Sequence, residues 1–127
     1  MPDFQLFEYA VVRVVPRVER EEFINVGVVV YCRKQKFLKV LYHLNEEKVY
    51  ILSPETDVQE IESHLNSFEK ICLGLPTDNP ISSLDPASRF RWLTATRSSV
   101  LQTSKVHPGM CADAEETLSK LFKQLVL

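Results

Sequence analysis

What most constrains the fold of this chain is a pair of β-branched runs, Phe7 to Val15 and Phe23 to Tyr31, separated by the charged segment Arg17 to Glu22. Val, Ile, Phe and Tyr suit a pleated, half-buried surface, and the charged stretch suits a solvated turn, so the two runs read as a hairpin. Pro16 falls at the end of the first run, where its missing N–H costs little; inside a central strand it would remove a ladder bond. With the loop at Val18 to Glu22, the antiparallel register pairs Val15 with Asn25, Arg13 with Gly27, Val11 with Val29 and Tyr9 with Tyr31. One face then carries Ala10, Val12, Val14, Ile24, Val26, Val28 and Val30 and is expected to lie beneath helices. The other carries Tyr9, Val11, Arg13, Val15, Asn25, Gly27 and Tyr31 and is expected to be half-solvated, with Arg13 snorkelling to water. A slip of one residue would invert both faces. Gly27 opposite Arg13 leaves room for that side chain or for a close approach to the backbone, which makes Arg13, Asn25 and Gly27 candidates for a binding face.

After a polar turn at residues 33–36, Phe37 to Leu44 alternates so that Leu38, Val40, Tyr42 and Leu44 share one side, as in a third strand of a meander, and Val49 to Leu52 extends it by a few residues. Ser53 and Pro54 have the form of a cap and first helical position. Val58, Ile61, Leu65, Phe68 and Cys72 then recur at helical spacing until Gly74. His64 lies beside that stripe and reads as a structural boundary residue. Residues 75–88 read as loop, with one helical turn opened by Asp85 and Pro86; two strands follow, Phe90 to Ala95 and Val100 to Val106. Asp113, Glu115 and Glu116 precede Leu118, Leu121, Phe122 and Leu125, with Lys120 and Lys123 near the end, which predicts a terminal helix. The order βββαββα implies an α+β fold, an antiparallel sheet of about five strands with two helices packed on one face, in one domain over residues 1–127.

Hydrophobic content of 45% and 25% charged residues are ordinary for a globular domain of this length. There is no apolar run of membrane-spanning length, and the opening MPDFQLFEY lacks the order of a signal peptide, so a cytoplasmic location without membrane contact is expected. Cys32, Cys72 and Cys111 form no C-x-x-C, and neither a disulfide framework nor a ribbon-type metal site is indicated. Basic and acidic residues number seven and five over residues 1–43, two and eight over 44–80, and six and four over 81–127. That balance disfavours general nucleic-acid binding, which needs a concentrated basic stripe.

Three groupings could carry chemistry. Arg89, Arg91 and Arg97 surround Trp92, and a strand would put Arg89 and Arg91 on one face; their planar forks suit phosphate or carboxylate, with Ser98, Ser99 and Lys105 nearby. The plainer alternative pairs these arginines with Glu19, Glu21 and Glu22 while Trp92 fills the core. Glu22, Asn25, Arg97 and His107 would form an acid/base site if the second hairpin lay beside the first. His107, Cys111 and Asp113 have a metal-like local spacing, but two plausible ligands make no site, and neither metal nor cofactor is expected.

The stretches YAVVRVVP (9–16), REEFINVGVVVY (20–31), FRWLTATRSSVLQ (90–102) and VHPG (106–109) together resemble the Domain of Unknown Function 3037 family, bacterial cytosolic proteins of about this length. That resemblance brings no established activity, but it implies genes lying beside those of HipA-like serine/threonine kinases, and so a kinase-associated or toxin-system role. The preferred expectation is therefore a non-catalytic protein-binding or adaptor module whose mixed sheet face or arginine-rich segment engages a protein partner such as a HipA-like kinase. A small enzyme or nucleotide/phosphate-binding protein acting on an anionic small molecule through Arg91, Arg97 and His107 is the alternative. A nucleic-acid-binding protein is the second, and a homo-oligomer is compatible with each.

Overall fold

The structure, a computed structural model, describes residues 3–127. The two β-branched runs form the expected antiparallel hairpin, β1 (Gln5–Val14) and β2 (Ile24–Cys32), and β3 (Phe37–Tyr42) continues the meander along β2. The other side of β1 is shared by two short strands, β4 (Leu101–Thr103) over Val12–Val14 and β5 (His107–Cys111) over Gln5–Tyr9. Ser104 bridges the step between them. Its N–H donates to the Val11 carbonyl at 2.8 Å and its Oγ accepts the Val11 N–H at 2.8 Å, so no backbone group of β1 is orphaned there.

The hairpin register differs from the expected one. Tyr9 faces Val30 and Val12 faces Gly27, but Arg13 then faces Asn25, leaving Val26 as the extra residue of a β-bulge. Because side chains alternate along a strand, one extra residue reverses the faces beyond it. Val26 therefore shares a layer with Val29 and Tyr31, whereas Val28, Val30 and Cys32 join the opposite one, and the expected uniform valine face is split. Gly27 sits at the kink. A Cβ there would stand 2.7 Å from the Leu41 carbonyl oxygen and 3.0 Å from the Tyr42 Cβ, so its lack of a side chain lets β3 approach β2 and does not make room for Arg13.

Helices replace one expected strand and the expected extension of another. Asn45 accepts the Lys48 N–H at 3.2 Å and starts α1 (Glu46–Leu52), where Val49–Leu52 read as extended. Ser53 ends that helix instead of opening the next, and Asp57, accepting from the Gln59 and Glu60 N–H groups, caps α2 (Val58–Leu73). The stripe of Val58, Ile61, Leu65, Phe68 and Cys72 is buried as its spacing predicts, and Gly74 closes the helix at φ 70°. Asp85 accepts the Ser88 N–H and Pro86 occupies the first turn of α3 (Pro86–Leu93), which takes the place of the strand expected at Phe90–Ala95. Its Phe90 and Leu93, three residues apart on one face, are fully buried, and the Phe90 ring lies 5.4 Å from that of Tyr31.

The antiparallel α+β architecture is thus as expected, and two helices do pack on one face, but the second of them is α3. Together α2 and α3 cover Ala10, Val12, Val14, Val29, Tyr31 and Val40. The terminal helix α4 (Ala114–Leu125) covers the opposite face, where Phe7, Val28, Val30, Cys32, Cys111 and Leu118 form a second core on the side expected to be half-solvated. The β2–β3 turn and β2 itself hold this helix at both ends: Gln35 accepts the Ala114 N–H at 2.8 Å, and Asn25 donates to the Leu125 carbonyl at 3.3 Å.

Substituting Gly27→Ala should cost about 1–3 kcal/mol in urea unfolding, because the atom it strikes first is backbone and cannot rotate away. Burial pushes the Cys72 thiol from 9.0 up to about 12, against a smaller opposing effect of Arg89. Below the unfolded value near 9 this thiol is protonated in both states and its contribution is whole; as pH rises toward 12 the unfolded chain ionises first. Stability is therefore expected to fall by up to about 1.4 kcal/mol per pH unit across that window from this group alone, and the slope should flatten in Cys72→Ala.

Candidate functional site

Because Arg89 and Arg91 lie on a helix, two residues separate them by roughly 200°, and they do not share a face. Arg89 turns back to the end of α2, donating to the Leu84 carbonyl at 2.6 Å and the Cys72 carbonyl at 3.4 Å. Arg91 forms a two-pronged pair with Glu8 at 2.9 and 2.8 Å, and that hydrogen bond raises its pKa further. The expected pairing with the acids of the hairpin turn does not occur: Glu19 is bound by Arg17 at 2.9 Å and Glu22 by Arg20. Trp92 is half-buried at the edge of the α2–α3 core. Its ring carries the Arg97 guanidinium at 4.2 Å, and its carbonyl accepts from the same side chain.

Nor do Glu22, Asn25, Arg97 and His107 meet at a point. Glu22 is committed to Arg20 and Asn25 to the end of α4. His107 faces Tyr9 with ring centroids 5.3 Å apart, and Tyr9 is four strand positions, about 13 Å, from Arg13. His107 is exposed while Cys111 lies buried under α4 and Asp113 caps that helix, so the three residues with metal-like spacing face different surroundings. Ser99 donates to the Leu101 carbonyl at 2.7 Å and is spent within its own loop.

What the fold does bring together is a polar row across the strands, Gln102–Arg13–Asn25, on the α4 side of the sheet beyond the end of that helix. The Arg13 guanidinium lies 4.1 Å from the centre of the Phe23 ring. Arg13, Glu21 and Phe23, with Thr96, Arg97, Ser98 and Gln102, line a groove of about 360 Å³. A smaller cleft of about 170 Å³ opens on the far side of Arg97, between His64 and Phe68 of α2 and Trp92 and Leu101. Of the residues singled out from sequence, Arg13 and Arg97 meet in one place; Gly27, Arg91 and His107 serve elsewhere. Phe23, a strand end in the sequence, and Gln102 are not among the expected site residues, although an aromatic residue at the hairpin turn and a lone amide among apolar and hydroxyl neighbours are the available signals.

Glu8 and Arg91 are solvent-accessible at 23% and 57%, so their pair is expected to contribute little. A double-mutant cycle of Glu8→Gln and Arg91→Met should give a coupling under about 1 kcal/mol, with both single variants folded.

Neither a curated protein nor a solved structure matches the chain. The model of the family described as "Protein of unknown function (DUF3037)" matches residues 9–126, a span that takes in every strand pairing of β1 with its neighbours from Tyr9 onward and all four helices, so that the chain belongs to the DUF3037 family.

Proposed function

We propose that this chain is a non-catalytic protein-binding module of the bacterial cytosol, with a HipA-like kinase as its partner. The observation that carries the protein-binding reading is an apolar patch at the open end of the sheet. Leu6 and Met110 face each other across β1 and β5 and are 57% and 60% exposed, and Phe4, just before β1, is 61% exposed. Leu6 alternates with Ala10 and Val12 on the α2–α3 side but lies beyond the cover of those helices. The Glu8–Arg91 pair borders it, giving an apolar centre with a polar rim, which is the anatomy of a protein interface.

The alternative of a phosphorylated ligand held by Arg91, Arg97 and His107 is weakened because Arg91 is taken by Glu8 and His107 lies against Tyr9. Nucleic-acid binding is weakened in the same way, since Arg17, Arg20, Lys39 and Arg91 are all matched with carboxylates. No helix among the described residues is long and apolar enough to cross a membrane. The kinase as partner rests on the family resemblance alone.

Leu6→Lys and Met110→Lys alter side chains already in water and should leave the melting temperature nearly unchanged, while capture of a purified HipA-like kinase on immobilised chain should weaken about tenfold or more. Undiminished capture would remove the patch from the interface, and no capture by the unaltered chain would remove the kinase.

A further inference from the structure

Arg13 and Arg97 line one groove, and neither forms an ion pair among the described residues, whereas Arg17, Arg20 and Arg91 each hold a carboxylate. Each guanidinium rests on an aromatic ring, Arg13 on Phe23 and Arg97 on Trp92, so both planar forks are held in place without a directly bound carboxylate. The Arg13 Nε is buried and has no hydrogen-bond partner, and neither has the Oδ1 of Asn25, its cross-strand neighbour. A buried donor left unpaired is costly, and natural structures keep such groups when something else completes them. Burial depresses the pKa of Arg97, with no acid acting to raise it, yet an arginine stays charged.

We propose that the groove lined by Arg13, Phe23, Thr96, Arg97, Ser98 and Gln102 binds the oxyanion of a small molecule, a phosphate monoester or a carboxylate. Two guanidinium groups supply charge-assisted N–H donors beyond the one Arg97 gives to the Trp92 carbonyl, and the hydroxyls of Thr96 and Ser98 and the second N–H of Gln102, whose first goes to the Ser99 carbonyl at 2.8 Å, add neutral ones. The volume of about 360 Å³ equals roughly a dozen waters, so there is space for more than the anion itself. Val15, Val18 and the Phe23 ring give an attached apolar group a surface to lie on. Glu21, which also lines the groove, would repel the anion and set an upper limit on affinity. This site is separate from the Leu6–Met110 patch and stands whether or not a protein docks there.

The test is an NMR titration of the ¹⁵N-labelled 127-residue chain with phenyl phosphate and with benzoate, against sodium chloride at matched ionic strength, following the arginine Nε–H signals. Saturable shifts are expected at Arg13 and Arg97, while Arg91, held by Glu8, should not move. Saturation by phenyl phosphate alone assigns a phosphate ligand, by benzoate alone a carboxylate, and by both a site for either. Arg97→Gln should weaken binding about tenfold or more, and Arg97→Lys, which keeps the charge without the fork, should fall between. Glu21→Gln should tighten it, and because Glu21 is exposed that variant leaves folding out of question. The proposal is overturned if neither anion shifts these signals beyond chloride, or if Arg97→Gln and Glu21→Gln both leave the affinity unchanged.

Discussion

The fold depends on one extra residue in β2. With Val26 bulged out of the ladder, Val26 joins Val29 and Tyr31 in one layer, whereas a regular strand would have set it with Val28 and Val30 in the other. The sheet is buried on both sides, by α2 and α3 on one and α4 on the other, because the alternating run from Val28 to Cys32 is apolar on both faces. Two-sided burial of an antiparallel sheet is the less common arrangement, and here it adds a second, smaller core beneath α4 to the one beneath α2 and α3. Gly27 is the geometric condition for it, because any side chain at the kink would hold β3 away from β2.

The placement of α4 follows from the same kink. Asn25 and Gln35, at opposite ends of β2, reach the last and first turns of that helix, so its position is set by hydrogen bonds as well as by the packing of Leu118 and Ala114. The kink also brings Asn25 opposite Arg13 and so creates the polar row beside the groove. The Asn25 tie to α4 and the polar row are therefore outcomes of one local irregularity, because strict alternation would turn Asn25 to the other face.

Elements marked by long periodic patterns or by caps were legible in the chain: the hairpin, β3, the stripe of α2 with its Gly74 stop, and α4 behind Asp113. Short apolar runs were not. Val49–Leu52 and Phe90–Leu93 are too brief for periodicity to separate helix from strand, and there the caps Asn45 and Asp85 decided the outcome. The bulge was invisible because inserting one residue in a run of valines changes no local composition. Arg13 and Arg97 could be singled out by residue type, but their meeting depends on β4 lying beside β1, and Arg91 left the group because α3 is helical.

The sharing of one edge of β1 by β4 and β5 has a consequence for how the chain is made. Val12 finds its partner at Thr103 and Gln5 finds its partner at Cys111, so β1 leaves the ribosome about ninety residues or more before the strands that complete it. Until then its outer rim of N–H and carbonyl groups stays open, next to the exposed apolar side chains of its own N-terminal end. Closing loops of that span is slow compared with local helix formation, and the nascent chain passes through an interval in which self-association competes with folding.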